Sequence, residues 1–293
     1  MTIDEAYKMI DSYRDSQVPD EDSEFEYVEA LTFLIEEQHD PRRMMQLGGF
    51  YYGKREFDLA LKYYDMASDL GDEEADECLG YVWYYGRTGT KDYEKAFKHF
   101  SRAADKGNIV AKYKIADMYK NGYHVKKDLE EYKRIVRSLY PAVENAYYLY
   151  EPLPEIFTRL AHIETDEGDE EFAISLYLRA KSFLAQRIKY NPFFGNLNIM
   201  KWLVEDLYEL VDPDPDEMDL FDLYYYLKTP CTVSFRYQKK RYTVTSTDEE
   251  GEIHILFEDK WYISIDDFFR KAAIDDRLLT EIYGELYDFE LRR

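Results

Sequence analysis

Residues 73–107 read EEADECLGYVWYYGRTGTKDYEKAFKHFSRAADKG, and two spacings inside this stretch decide the fold. Ala96, Phe100 and Ala103 follow one another by steps of 4 and 3, which sets a small, an aromatic and a small side chain on one helical face. A neighbouring helix can then approach closely over the alanines while the ring fills the gap. Leu79, Gly80 and Trp83 mark the helix before it. The same order recurs upstream, with Leu47, Gly48 and Tyr51 ahead of Ala60, Tyr64, Ala67 and Gly71, and downstream, with Leu160 and Ala161 ahead of Ala173, Tyr177 and Ala180. A weaker copy runs from Ile115, Ala116 and Tyr119 to Tyr132 and Val136. Ala75 and Ala111 are 36 residues apart, as are Gly86 and Gly122. Such a fixed offset marks an array of helix pairs, each burying its apolar face against the next.

At these residues the chain resembles the tetratricopeptide repeat and its longer-looped relative, the Sel-one-like repeat, over roughly residues 41–187. The Leu-to-Ala step is 13 residues at Leu47 and Leu160 and 17 at Leu79, where Gly86, Gly89, Asp92 and Tyr93 fill the longer loop. The pattern departs from the family at Tyr132 and Leu139, which stand in place of alanines, and at Glu164, in place of an aromatic residue. The resemblance implies a protein-binding groove lined by positions two and five after the marker residue. These are Tyr81 and Tyr84 with neighbouring Tyr85, then Gly49 and Tyr52, Asp117 and Lys120, and His162 and Thr165. Tyr51, Tyr64, Trp83, Phe100, Tyr119 and Tyr177 read as repeat core. On a groove reading Tyr81, Tyr84 and Tyr85 are partly exposed and Trp83 is buried; on the other reading these tyrosines pack against the next repeat.

Helical periodicity continues outside the repeats. Ile3, Ala6, Tyr7 and Ile10 share a face, Ser23 is placed to cap a helix carrying Phe25, Val28, Leu31, Leu34 and Ile35, and Asp40 precedes Pro41 as a cap before a first-turn proline. Trp202, Leu203, Leu207 and Leu210 mark one helix before Pro213 and Pro215, and Met218, Phe221, Leu223 and Leu227 mark another before Pro230. Beyond Pro230 the period becomes 2: Val233, Phe235 and Tyr237; Tyr242 and Val244; Ile253, Ile255 and Phe257; Trp261, Ile263 and Ile265. Short separators make these a four-stranded antiparallel meander. Asp266 and Asp267 then open a helix, and Leu278, Leu279 and Ile282 suggest one more. The expected fold is mainly α: a helix-pair solenoid over 1–228 (an N-terminal pair over 1–40, repeats over 41–187, closing helices over 188–228), then a small α+β domain over 229–293.

The 293 residues carry 38 basic and 61 acidic side chains, a net charge of -23. That balance argues against nucleic acid or an anionic membrane as partner and favours a protein with basic patches. The charge is uneven: 1–40 hold 2 basic and 13 acidic residues, 41–140 hold 19 and 16, 141–228 hold 7 and 18, and 229–293 hold 10 and 14. Within the near-neutral centre, Lys112, Lys114, Lys120, Lys126, Lys127, Lys133, Arg134 and Arg137 form either a solvated helix surface or a positive stripe for an acidic partner. The first ten residues lack a leader pattern, no apolar run is long enough to span a bilayer, and Cys78 and Cys231 stand far apart. These features point to a cytoplasmic protein with free thiols.

Chemistry is sparse. The five histidines show no metal-ligand spacing, and phosphate loops and nucleophile elbows are missing. Asp212, Asp214, Asp216 and Asp219 are spaced like part of a calcium loop, but Glu217 stands where its glycine belongs and Leu223 where its glutamate belongs. The expectation is therefore a non-enzymatic scaffold without metal or cofactor, binding a peptide or protein segment. The alternative is an acidic, immunity-type neutraliser or regulator of a basic protein.

Overall fold

A computed structural model describes residues 1–16, 20–144, 153–190, 194–215 and 218–293. Helix starts follow the capping chemistry of the sequence. Thr2 and Glu5 form a reciprocal capping box at α1 (Ile3–Asp15). The cap of α2 (Glu21–Gln38) is Asp20, whose carboxylate accepts from the Ser23 N–H. This corrects the expectation for Ser23, whose hydroxyl instead donates to the Asp20 carbonyl. Asp40 caps α3 (Pro41–Gly53), with Pro41 in the first turn as expected. Then come α4 (Phe57–Asp69), α5 (Glu73–Tyr85), α6 (Tyr93–Asp105), α7 (Ile109–Asn121) and α8 (Leu129–Val143). Asp72, Asp92 and Asn108 cap α5, α6 and α7 through their side chains. The chain's contacts gather into two compact units, Met1–Val136 and Arg137–Arg293.

In the first unit the repeated residues meet as their spacing demands. Ala60, Ala67, Ala96, Phe100 and Ala103 are buried, and Tyr64 nearly so. Each ring lies directly on the glycine of the preceding helix. A Cβ added at Gly48 would stand 2.6 Å from Tyr64 Cε1, and one at Gly80 would stand 2.4 Å from Phe100 Cε1. The Leu-Gly pair thus exists to receive the aromatic ring of its partner helix. The marker aromatics of the first helices behave differently. Tyr51, Trp83 and Tyr119 are only partly buried, which corrects their assignment to the core. Tyr51 stacks on Tyr63, Lys95 lies 3.9 Å above the Trp83 ring, and Tyr119 meets Phe97 edge-on. They seal the edge of the helix contact, whereas Leu47, Leu79 and Val82 fill its centre.

One buried ion cluster ties three helices of this unit. The Asp76 carboxylate on α5 is fully buried and accepts from the Ser68 hydroxyl at 3.0 Å. From α6, His99 Nδ1 lies 3.1 Å from it and Arg102 Nε 3.4 Å, and from the residue that closes α6 Lys106 Nζ lies 3.6 Å away. Low dielectric makes such a pairing strong only while every partner is present.

The second unit contains α9 (Leu153–Glu167), α10 (Glu170–Tyr190), α11 (Phe194–Leu210) and α12 (Leu220–Leu227). Leu160, Ala161, Ala173, Tyr177 and Ala180 are buried where α9 and α10 pack together. The strands begin directly after Pro230 with β1 (Cys231–Tyr237), β2 (Lys240–Glu249), β3 (Glu252–Phe257) and β4 (Lys260–Tyr262). The turn residues Gln238 and Lys239, Glu250 and Gly251, and Glu258 and Asp259 all take positive φ, the backbone that two-residue hairpins require. The register of the last strand corrects the expectation for Trp261 and Ile263. Tyr262 opposes buried Ile255 and points inward, leaving Trp261 and Ile263 exposed. Ile265 opens α13 (Ile265–Lys271), capped by Ser264. After β5 (Ala273–Ile274), β6 (Arg277–Leu278) and the single-turn α14 (Leu279–Ile282), β7 (Tyr287–Arg292) pairs with β1. The sheet therefore has five strands, ordered β4-β3-β2-β1-β7, where the sequence suggested four.

Candidate functional site

The first unit collects six of the eight candidate residues, and their setting starts from a helix end. Gly86 closes α5 with φ 64, and the Arg87 N–H bonds to the Val82 carbonyl at 3.0 Å, completing a Schellman turn. Gly122 and Tyr123 repeat this at α7, with the Tyr123 N–H on the Met118 carbonyl. The turn fixes where the Arg87 side chain leaves the backbone. Its guanidinium carbon lies 5.2 Å from the Tyr85 ring centre and 5.9 Å from that of Tyr52, inside the range of cation–π attraction. Arg87 is exposed, and it makes no side-chain hydrogen bond or ion pair among the described residues.

A second cation backs the same tyrosines. Lys114 on α7 is only 8% exposed, and its ammonium lies 5.2 to 5.5 Å from the ring centres of Tyr81, Tyr84, Tyr85 and Tyr113. It donates to the Tyr85 hydroxyl at 3.2 Å. No carboxylate lies within ion-pair distance of it among the described residues. The four electron-rich ring faces take the place of a counter-ion.

The tyrosines divide by task. Tyr81 stacks on Tyr85, meets Phe100 edge-on and shares a hydrogen bond with Tyr113 at 3.2 Å. Burial pushes its phenol far above the usual range, helped by Tyr113. Tyr84 meets Tyr85, Tyr93, Phe100 and Tyr123 edge-on, and its phenol is likewise raised by burial and then by the Asp117 charge. Tyr85 is 43% exposed. Tyr52 is partly exposed and leans on Phe57. Trp83 was expected to be buried opposite this face; Val82 is, while Trp83 sits at the rim beneath Lys95. Next along the array, Asp117 is partly buried, and the Lys120 ammonium stands 5.2 Å from the Tyr132 ring centre.

His162 and Thr165 belong to the second unit. His162 Nδ1 lies 3.8 Å from Asp206, and the Thr165 hydroxyl donates to the Ala161 carbonyl. The positive stripe is likewise not uniform. Lys114 is buried, Arg134 pairs with Glu131, and Arg137, in the second unit, pairs with Glu164 and Glu167. Of the acidic loop near 212–219, Asp216 and Glu217 lie outside the described residues, while Asp219 caps α12 and pairs with Lys181 at 2.8 Å. Sequence reasoning missed Arg87, and it placed Lys114 on the surface. The one available signal was a basic residue just past a helix-closing glycine and a run of tyrosines.

The Sel1 repeat family model matches residues 44–72, 79–108 and 109–131. The chain therefore carries three Sel1 repeats, all in the first unit. The α9–α10 pair lies outside them. Among curated proteins the chain is similar to protein sel-1 homolog 2 of Mus musculus, 35% identical over 80 residues, 27% of this chain and 12% of that protein. It is also similar to the ERAD-associated E3 ubiquitin-protein ligase component HRD3A of Arabidopsis thaliana, 27% identical over 111 residues, 38% of this chain and 16% of that protein. These matches thus span a small part of either relative. A solved Sel1 repeat protein from Oxalobacter formigenes shares the fold with a TM-score of 0.50 at 19% identity, over 77% of this chain and 82% of that one. No helix among the described residues is long and apolar enough to cross a membrane.

Proposed function

We propose that the chain is a protein-interaction scaffold whose Sel1 repeats bind a peptide or protein segment on the face carrying Tyr52, Tyr85 and Arg87. One observation carries this reading. Two accessible tyrosines and an exposed arginine are held by a repeated helix-end turn, and tyrosine and arginine are the residue types that dominate interface hot spots. Tyr81, Tyr84, Asp117 and Lys120 extend the face, Tyr81 chiefly by packing. Similarity to a ligase-complex component and to sel-1 homolog 2 agrees with an adaptor role. The division at 228/229 is kept as a proposal for the folding units, and His162 and Thr165 as proposed contacts of the second.

A second reading, neutralisation of a basic protein, draws on the net charge of -23, concentrated in 1–40 and 141–228. Affinity capture from the source cell, run in parallel with the full chain and a Tyr52→Ala/Tyr85→Ala variant, separates the two. Scaffold binding predicts a protein retained by the first and lost by the second, with the second still folded and melting cooperatively, at a lower temperature because Tyr85 holds the Lys114 ammonium. An identical set of retained proteins, all basic and released by salt, would favour neutralisation instead.

A further inference from the structure

The tyrosine face holds two cations against one ring, although the chain as a whole is strongly acidic. Arg87 is exposed and has no anionic partner among the described residues, and Lys114 is nearly buried with none within ion-pair distance. Both cations stand against the same Tyr85 ring, at 5.2 and 5.5 Å from its centre. The nearly buried Lys114 ammonium donates one hydrogen bond, to the Tyr85 hydroxyl, and has no carboxylate within ion-pair distance among the described residues; the Asp117 and Glu77 charges act on the neighbouring Tyr84 and Tyr81. The guanidinium offers a planar fork of N–H donors suited to two carboxylate oxygens. The rings of Tyr52 and Tyr85 stiffen that fork, so little side-chain freedom is lost when an anion docks.

We propose that this face takes an acidic peptide segment, one carboxylate of which pairs with the Arg87 guanidinium between Tyr52 and Tyr85 while Lys114 supplies a second positive charge behind the Tyr85 ring. The inference rests on the reading of this face as the partner surface. It specifies the partner's chemistry where the overall charge would suggest the opposite. The chain as a whole, net -23, repels an acidic segment, so binding is favoured where two cations without an ion-pair partner among the described residues stand against one tyrosine ring. Apolar side chains flanking the carboxylate would rest on Tyr52 and Tyr85.

The test is a peptide array with equal numbers of acidic, amide-substituted (Glu to Gln, Asp to Asn) and basic sequences, probed with the full chain and followed by anisotropy titration of the best binder. The expected result is selection of acidic peptides, with affinity falling about tenfold or more on Arg87→Glu or on replacing the peptide carboxylates by amides. Affinity should also fall with rising salt, and Arg87→Glu should leave the melting temperature unchanged, since the side chain is exposed. A Tyr52→Ala/Tyr85→Ala variant distinguishes the two levels of the argument. If it abolishes binding while Arg87→Glu and amide peptides bind as before, the face is the partner site and the carboxylate proposal is overturned. If neither variant changes binding, or no peptide class binds, both fall.

Discussion

Adjacent glycines in α3 should respond in opposite directions to the same substitution. A Cβ at Gly48 would lie 2.6 and 2.7 Å from Tyr64 Cε1 and Cδ1, whereas at Gly49 the nearest heavy atom is the Tyr64 hydroxyl at 4.0 Å. Ordinary contact begins near 3.4 Å, so the Tyr64 ring would have to retreat by most of an ångström. It cannot do so freely, because it is 5% exposed and packed with Ala60, Leu79 and Val82. Overpacking of this kind costs about 1–3 kcal/mol, against a gain of about 0.8–1 kcal/mol from replacing glycine by alanine within a helix. Gly48→Ala should therefore be destabilised by up to about 2 kcal/mol, while Gly49→Ala, exposed and unobstructed, gains about 0.5–1 kcal/mol. The assay is urea unfolding followed by Trp83 fluorescence in a Trp202→Phe/Trp261→Phe background, which confines the signal to the first unit. With a slope of about 2 kcal/mol/M the two midpoints should separate by about 1 M. Equal midpoints, or Gly48→Ala the more stable, would refute the ring-on-glycine contact as the basis of the repeat.

Removing the Asp76 carboxylate with Asp76→Ala strands His99, Arg102 and Lys106 around a buried site and should destabilise by about 3 kcal/mol, the lower end for a broken buried pair because Arg102 and Lys106 are 42% and 35% exposed; Asp76→Asn, which keeps the Ser68 hydrogen bond, should lose less. An unchanged urea midpoint for Asp76→Ala would show that the cluster contributes nothing. The Cys78 thiol is pushed up to about 12 by burial, reinforced by Glu77. Its thiolate fraction at pH 8 is then over a thousandfold below that of an ordinary cysteine near 8.5, and its greater nucleophilicity recovers only part of this, so native Cys78 should react with an aromatic disulfide about a hundredfold more slowly than in urea. Rapid reaction of the native thiol would contradict that burial.

The helical repeats were legible because their signal is local. Ala96, Phe100 and Ala103 announce a face within two turns, and the glycine that receives the ring lies only 20 residues upstream. The strands after Pro230 were legible for the same reason. Two features were not. The Glu258–Asp259 hairpin lacks the glycine or asparagine that normally marks such a turn, so the three-residue β4 could be read in either register and Trp261 was turned inward. The fifth strand pairs Leu291 with Val233, a partner 58 residues away, and its charged sequence YDFELR carries no clean alternation. At the candidate site the tyrosines were named through the resemblance to the repeat family, whose groove positions carry over from each marker residue. Arg87 and Lys114 were not, since their roles arise only when neighbouring repeats bring Tyr52 and the α5 tyrosines within reach of their charges.

The central claim is that partner binding occurs on the first-helix face of the Sel1 repeats and is separable from folding. Amide hydrogen exchange of the full chain, with and without its captured partner, tests this most directly. The account predicts slowed exchange at the C-terminal turns of α3 and α5 and in the 86–91 loop, abolished by Tyr52→Ala/Tyr85→Ala without faster exchange in the buried second helices α4 and α6. Slowed exchange confined to residues 137–293, with the 86–91 loop unchanged, would contradict it.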